Sequence, residues 1–102
     1  MVLLEFSMSP IDKGESLSPY VARVLNVVDK SGVSYKLTSM GTILEGEWAE
    51  VMSVVTDCFK ELERDCNRIS THIKMDYRKG TSPRMQQKLL SIEQKLKRKI
   101  AK

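Results

Sequence analysis

Stretches that alternate with period two are interleaved with stretches at helical spacing, and their order constrains this fold more than anything else in the chain. Val2 to Ser9 alternates, with Val2, Leu4, Phe6 and Met8 on one face and Leu3, Glu5, Ser7 and Ser9 on the other. Pro10, Asp12 and Gly14 then break the pattern. Ser18-Pro19 reads as a helix start, with Ser18 as N-cap and Pro19 at the first helical position. Tyr20, Val21, Val24, Leu25 and Val28 follow at helical spacing, and Gly32 is a stop. Val33, Tyr35 and Leu37 alternate with Ser34, Lys36 and Thr38 in a second strand. Ser39-Met40-Gly41 is a tight connection into a short third strand, Thr42 to Gly46. Trp48, Val51, Met52, Val55, Phe59, Leu62 and Cys66 form the stripe of a second helix. A fourth strand runs from about Arg68 to Arg78, with Ile69, Thr71, Ile73, Met75 and Tyr77 opposite Ser70, His72, Lys74, Asp76 and Arg78.

The order β-α-β-β-α-β predicts an α+β, ferredoxin-like sandwich over residues 1–80. The right-handed crossover rule places both helices on one face of a four-stranded antiparallel sheet. The other face is then open to a ligand or a partner subunit. Parity puts Phe6, Tyr35 and Tyr77 on the helix-covered face.

Residues 81–102 read as a separate basic amphipathic helix. Ser82-Pro83 repeats the cap-then-proline start, and Met85, Leu89, Ile92, Leu96 and Ile100 make a narrow apolar seam. Residues 1–77 carry 8 Lys/Arg against 12 Asp/Glu, whereas residues 78–102 carry 9 against the single acid Glu93. The basic balance therefore belongs to the end of the chain. That segment lacks interleaved aromatics, so it is read as docking on its own domain or a neighbouring subunit; nucleic acid and membrane are not expected as partners.

Composition removes several classes. The 102 residues, 41% hydrophobic and 29% charged, suit one small domain. No apolar run approaches the ~20 residues of a membrane span. Met1-Val2-Leu3-Leu4 meets Glu5 at once, so no secretory leader is expected and a cytoplasmic location is. Cys58 and Cys66 would lie ~12 Å apart on one helix at ~1.5 Å per residue, too far for a disulfide. Two cysteines and the single His72 are too few for a metal centre. No nucleophile-elbow, zinc-binding or phosphate-loop motif occurs, so neither catalysis nor a cofactor is expected.

What remains is a set of polar residues. Ser7 and Ser9 end the first strand opposite Phe6, Ser39, Thr42 and Glu45 surround the hairpin, and His72, Lys74 and Asp76 line the fourth strand. Hydroxyls orient a ligand, and a carboxylate accepts from an amino-heterocycle. The same residues equally describe a solvated sheet face or a polar subunit contact.

The stretch YKLTSMGTILEGEWAEVM, Tyr35 to Met52, resembles the small thiamine-binding-protein family, long grouped as uncharacterised proteins. SMSPIDKGESLSPYVA, Ser7 to Ala22, and KMDYRKG, Lys74 to Gly80, agree with it. The resemblance implies a ferredoxin-like subunit that assembles through its sheets into a dimer of dimers. It also implies non-catalytic binding of thiamine or its hydroxymethylpyrimidine part. Carried over by motif, the ligand-binding residues are Ser7, Ser9, Ser39, Thr42 and Glu45, then Lys74 and Asp76, with His72 last. The alternative is a structural homotetramer with no small-molecule ligand.

Overall fold

The computed structural model describes residues 1–80. Its elements run β1 (Val2–Pro10), α1 (Ser18–Lys30), β2 (Ser34–Thr38), β3 (Gly41–Gly46), α2 (Trp48–Glu63) and β4 (Ile69–Tyr77). The strands form one antiparallel sheet in the order β2-β3-β1-β4, the ferredoxin-like arrangement read from the sequence. The basic helix expected over 81–102 lies outside the described residues.

β1 lies between β3 and β4, and one face of its pattern carries the core. Val2, Leu4, Phe6 and Met8 are buried against Leu44 of β3, Val24 and Val28 of α1, and Val51, Val54, Val55, Cys58 and Leu62 of α2. Each buried aliphatic or aromatic side chain contributes about 1.5–3 kcal/mol by leaving water. The register keeps like faces together, with Leu4 beside Leu44 on one side and Met75 on the other. A slip of one residue would turn every β1 core residue outward.

Three local expectations change. The α1 N-cap is Leu17, not Ser18, so the helix starts one residue earlier and has no side-chain cap; Pro19 still sits in the first turn, where its missing N–H costs nothing. On α2, Trp48 and Phe59 are 57% and 41% exposed, while Val54 and Cys58 take the core positions. Cys58 falls three and four residues from Val55 and Val54, so the helix turns that row inward and moves Trp48 and Phe59 to its flank. On β4, Ile73 and Tyr77 have the helix-side parity but are 44% and 64% exposed, because β4 is an edge strand and the helices pack on β1 and β3.

The helix ends are held by specific contacts. The Glu47 N–H donates to Glu50 Oε1 at 3.0 Å at the start of α2. Ser31 Oγ donates to the Val28 carbonyl at 2.6 Å and accepts from the Val33 N–H at 3.1 Å beyond α1. Arg23 joins the two helices: Nε meets Glu61 Oε1 at 3.2 Å, Nη2 meets Asp65 Oδ1 at 2.9 Å, and Nη2 also donates to the Glu61 carbonyl at 2.7 Å. Glu61 is shared with Arg64 at 2.9 Å.

These contacts carry a sign in acid. The Arg23 guanidinium holds the Asp65 carboxyl below its ordinary 3.8, and Arg64, then Arg23, hold Glu61 below its ordinary 4.5. The Asn67 N–H, donating at 2.8 Å, holds Asp12 down as well. As pH falls, the unfolded chain therefore binds protons first, and this stability is present above the ordinary carboxylate range and lost as pH drops through the depressed folded values. Thermal melting should be flat above about pH 5 and fall steadily below about pH 4, with a shallower acid limb in Arg23→Met.

Candidate ligand-binding cleft

The cleft exists because β1 outlasts one of its two ladders. Pairing with β3 ends at Phe6–Thr42, whereas pairing with β4 continues to Pro10–Ile69. Past Phe6, one edge of β1 has no strand beside it among the described residues. α1 and the β2–β3 turn close around that gap and leave a cleft of about 240 Å³. Its walls are Phe6, Met8, Leu17, Val24 and Leu37, with Ser7, Ser9, Ser39 and Thr42 among them. Val21, Leu37 and Met40 are exposed apolar side chains in this lining, at 45%, 51% and 83%.

The turn that forms one wall is built by Thr38. Its hydroxyl donates to the Gly41 carbonyl at 2.9 Å and accepts from the Gly41 N–H at 3.1 Å and the Met40 N–H at 3.3 Å. Gly41 is required by close approach: a Cβ there would stand 2.7 Å from the Phe6 carbonyl oxygen. By alternation alone Thr38 is only a strand residue; the signal for its second role is a hydroxyl directly before a turn.

Thr42 is 7% exposed. Its hydroxyl makes no hydrogen bond to another described residue. A buried, unsatisfied hydroxyl costs about 1–3 kcal/mol, so its position in a cleft wall calls for a partner.

The polar residues singled out by sequence divide between two faces. Thr42 and Ser39 belong to the cleft; Ser7 and Ser9 border it, but their alternation with Phe6 and Met8 puts their side chains on the open face. Glu45, Lys74 and Asp76 lie on the open face: Leu3 is opposite Glu45 on one side and Asp76 on the other, and Glu5 is opposite Lys74. A shallow hollow of about 200 Å³ lies there, bounded by Leu3, Glu5, Ile43, Lys74, Met75 and Asp76. Thr42 pairs with Phe6 and so faces the helices, three residues from Glu45 and on the opposite side of the sheet. His72 is opposite Ser7, with Ser70 Oγ 3.4 Å from its Nε2.

Both cysteines are buried and held as thiols. Burial pushes the Cys58 thiol up to about 12, and its Sγ lies 3.7 Å from the Val24 carbonyl. Burial raises Cys66 as well. Among the described residues, no three His, Cys, Asp or Glu side chains come together to hold a metal ion, and no helix is long and apolar enough to cross a membrane.

Fold and cleft together define a small ferredoxin-like α/β sandwich with a polar-floored pocket at the end of its central strand. Comparison with known proteins gives the family. The model of the family described as thiamine-binding protein matches residues 4–93, and the chain belongs to that family. A UPF0045 protein of Mycobacterium bovis is 37% identical over 98 residues, covering 95% of this chain and 96% of that one. A hypothetical protein of Methanocaldococcus jannaschii superposes with a TM-score of 0.82 at 31% identity, covering 89% of this chain and 94% of that one. A Thermotoga maritima protein, assigned provisionally to thiamine biosynthesis or salvage, gives a TM-score of 0.78 at 22% identity over 89% and 97%; that likeness bears on the fold.

Gly41→Ala should lower stability by about 1–3 kcal/mol, the range for a forced overpacking, because the new methyl meets backbone rather than a side chain that could swing away. Urea denaturation measures it, and an unchanged midpoint would show that β1 and β3 are not this close.

Proposed function

We propose that this protein is a non-catalytic binder of a thiamine-like small molecule, and that the ligand occupies the cleft between α1, the end of β1 and the β2–β3 turn. The observation that carries this reading is the buried Thr42 hydroxyl with no partner among the described residues. Family membership supplies the ligand class. The cleft volume of about 240 Å³ lies below the ~300–1,000 Å³ usual for drug-sized ligands, which favours the one-ring hydroxymethylpyrimidine part over whole thiamine. Apolar walls take the faces of a planar ring, and Thr42 and Ser39 supply hydroxyls to its polar edge.

Glu45, Lys74 and Asp76 then serve the open face rather than this cleft. Assembly into a cytoplasmic homo-oligomer, a dimer of dimers, is part of the same proposal and rests on the family resemblance.

Thr42→Val separates a ligand contact from a structural one. Losing one hydrogen bond should weaken binding about threefold to tenfold, while the unliganded protein melts at the same temperature or higher because an unsatisfied hydroxyl has gone. Calorimetric titration with hydroxymethylpyrimidine and with thiamine, on protein unfolded and refolded to strip any bound ligand, measures the first effect, and a thermal melt the second. Saturable heat weakened in Thr42→Val and kept in Thr42→Ser supports the cleft. No heat from an intact oligomer would leave the structural homotetramer as the better reading.

A further inference from the structure

The open face of the sheet is unevenly covered, and the pattern indicates what covers it. Both helices pack on the side of Val2, Leu4, Phe6 and Met8, so the described residues place no helix over the other side. Yet Glu45, on that other side by register, is only 8% exposed. Leu3 and Asp76, level with it, are half-buried, while Glu5, Lys36, His72 and Lys74 on the same face are exposed. A carboxylate is not taken out of water without polar or charged company. The covered corner is therefore acidic, Glu45 and Asp76 around the apolar Leu3, and the uncovered part sets the cations Lys36 and Lys74 beside the single acid Glu5.

The chain leaves the sheet at that same corner. Asp76 is the penultimate residue of β4, and the end of the strand is tied to the start of β1. The Met1 ammonium donates to the Arg78 carbonyl at 3.1 Å and the Gly80 carbonyl at 3.0 Å, and the Arg78 N–H donates to the Met1 carbonyl at 3.1 Å. Gly80 is thus held at the start of β1, at the end of the sheet where Leu3, Glu45 and Asp76 lie.

The remaining 22 residues have the complementary chemistry. Residues 81–102 hold seven Lys/Arg, the nine of residues 78–102 less Arg78 and Lys79, against Glu93 alone. Met85, Leu89, Ile92 and Leu96 recur at spacings of four, three and four. Twenty-two helical residues would reach about 33 Å, against about 14 Å across four strands, so length does not limit the reach. Lys36 and Lys74 repel such a segment from the rest of the face.

We propose that the basic C-terminal segment, residues 81–102, folds back over the Leu3–Glu45–Asp76 corner of the open face. Its apolar residues cover Leu3 and its cations meet Glu45 and Asp76. The rest of the face, around Glu5, Lys74 and His72, is left for other contacts. The inference is independent of the ligand cleft, which lies on the other side of the sheet.

Two measurements on the full-length chain test it. In the first, an equal mixture of light and nitrogen-15 protein, unfolded and refolded together so that subunits mix, is treated with a water-soluble carbodiimide, which joins carboxylates to touching lysine amines, and the links are read by mass spectrometry. Links from Glu45 or Asp76 to lysines of residues 81–102, within one isotope only, are expected. Links of mixed isotope would assign the corner to a second copy and overturn the proposal, as would links that join residues 81–102 only to other parts of the chain. In the second, carbodiimide with an added amine ester labels exposed carboxylates, with Glu47 as the exposed reference. Leu89→Asp with Ile92→Asp should raise Glu45 labelling about tenfold relative to Glu47 by freeing the segment from the sheet. These substitutions lie outside the 1–80 core, so an unchanged thermal melt with unchanged Glu45 labelling would equally overturn the proposal.

Discussion

β1 is paired on both sides and buried along one whole face, and the rest of the structure is placed by it. β3 and β4 take their registers from it, and the helices close over Val2, Leu4, Phe6 and Met8. Because one face of β1 is apolar at every second residue, its register admits no slip, and both neighbours inherit that restriction. Gly41 is where the restriction is tightest: its backbone comes so near the Phe6 carbonyl that no side chain fits.

The same strand creates the candidate site by exceeding its partner. β3 ends at Gly41 and β1 runs on to Pro10, so the mismatch in length opens a gap that α1 and the hairpin turn enclose. Thr42, the last β3 residue paired to β1, stands at this boundary with its hydroxyl buried and unbonded among the described residues. A chain selected for packing alone would place a valine there. In the proposed reading a ligand atom is the partner of that hydroxyl.

The two sides of the sheet divide the labour. The helix side holds the core and the cleft, and the open side is covered around Glu45, Leu3 and Asp76 and exposed around Lys36, Glu5, His72 and Lys74. Sequence alone merged them, because Thr42 and Glu45 are close in the chain and both polar. Three residues along a strand is an odd step, and it reverses the face.

The element order, the strand faces and the position of both helices on one side were legible in the sequence, because they depend on local periodicity and on a chirality rule that needs no long-range detail. So were Ser39, Thr42 and Glu45 as polar positions around the hairpin. The α2 rotation that exposes Trp48 and Phe59 and buries Val54 and Cys58 was decided by packing against β1 and β3. The exposure of Ile73 and Tyr77 was decided by β4 lying at the sheet edge. The cleft itself was decided by where one ladder stops and the other continues. Periodicity states which way a side chain points; only tertiary structure states what stands opposite it, because that depends on residues distant in the chain meeting in register.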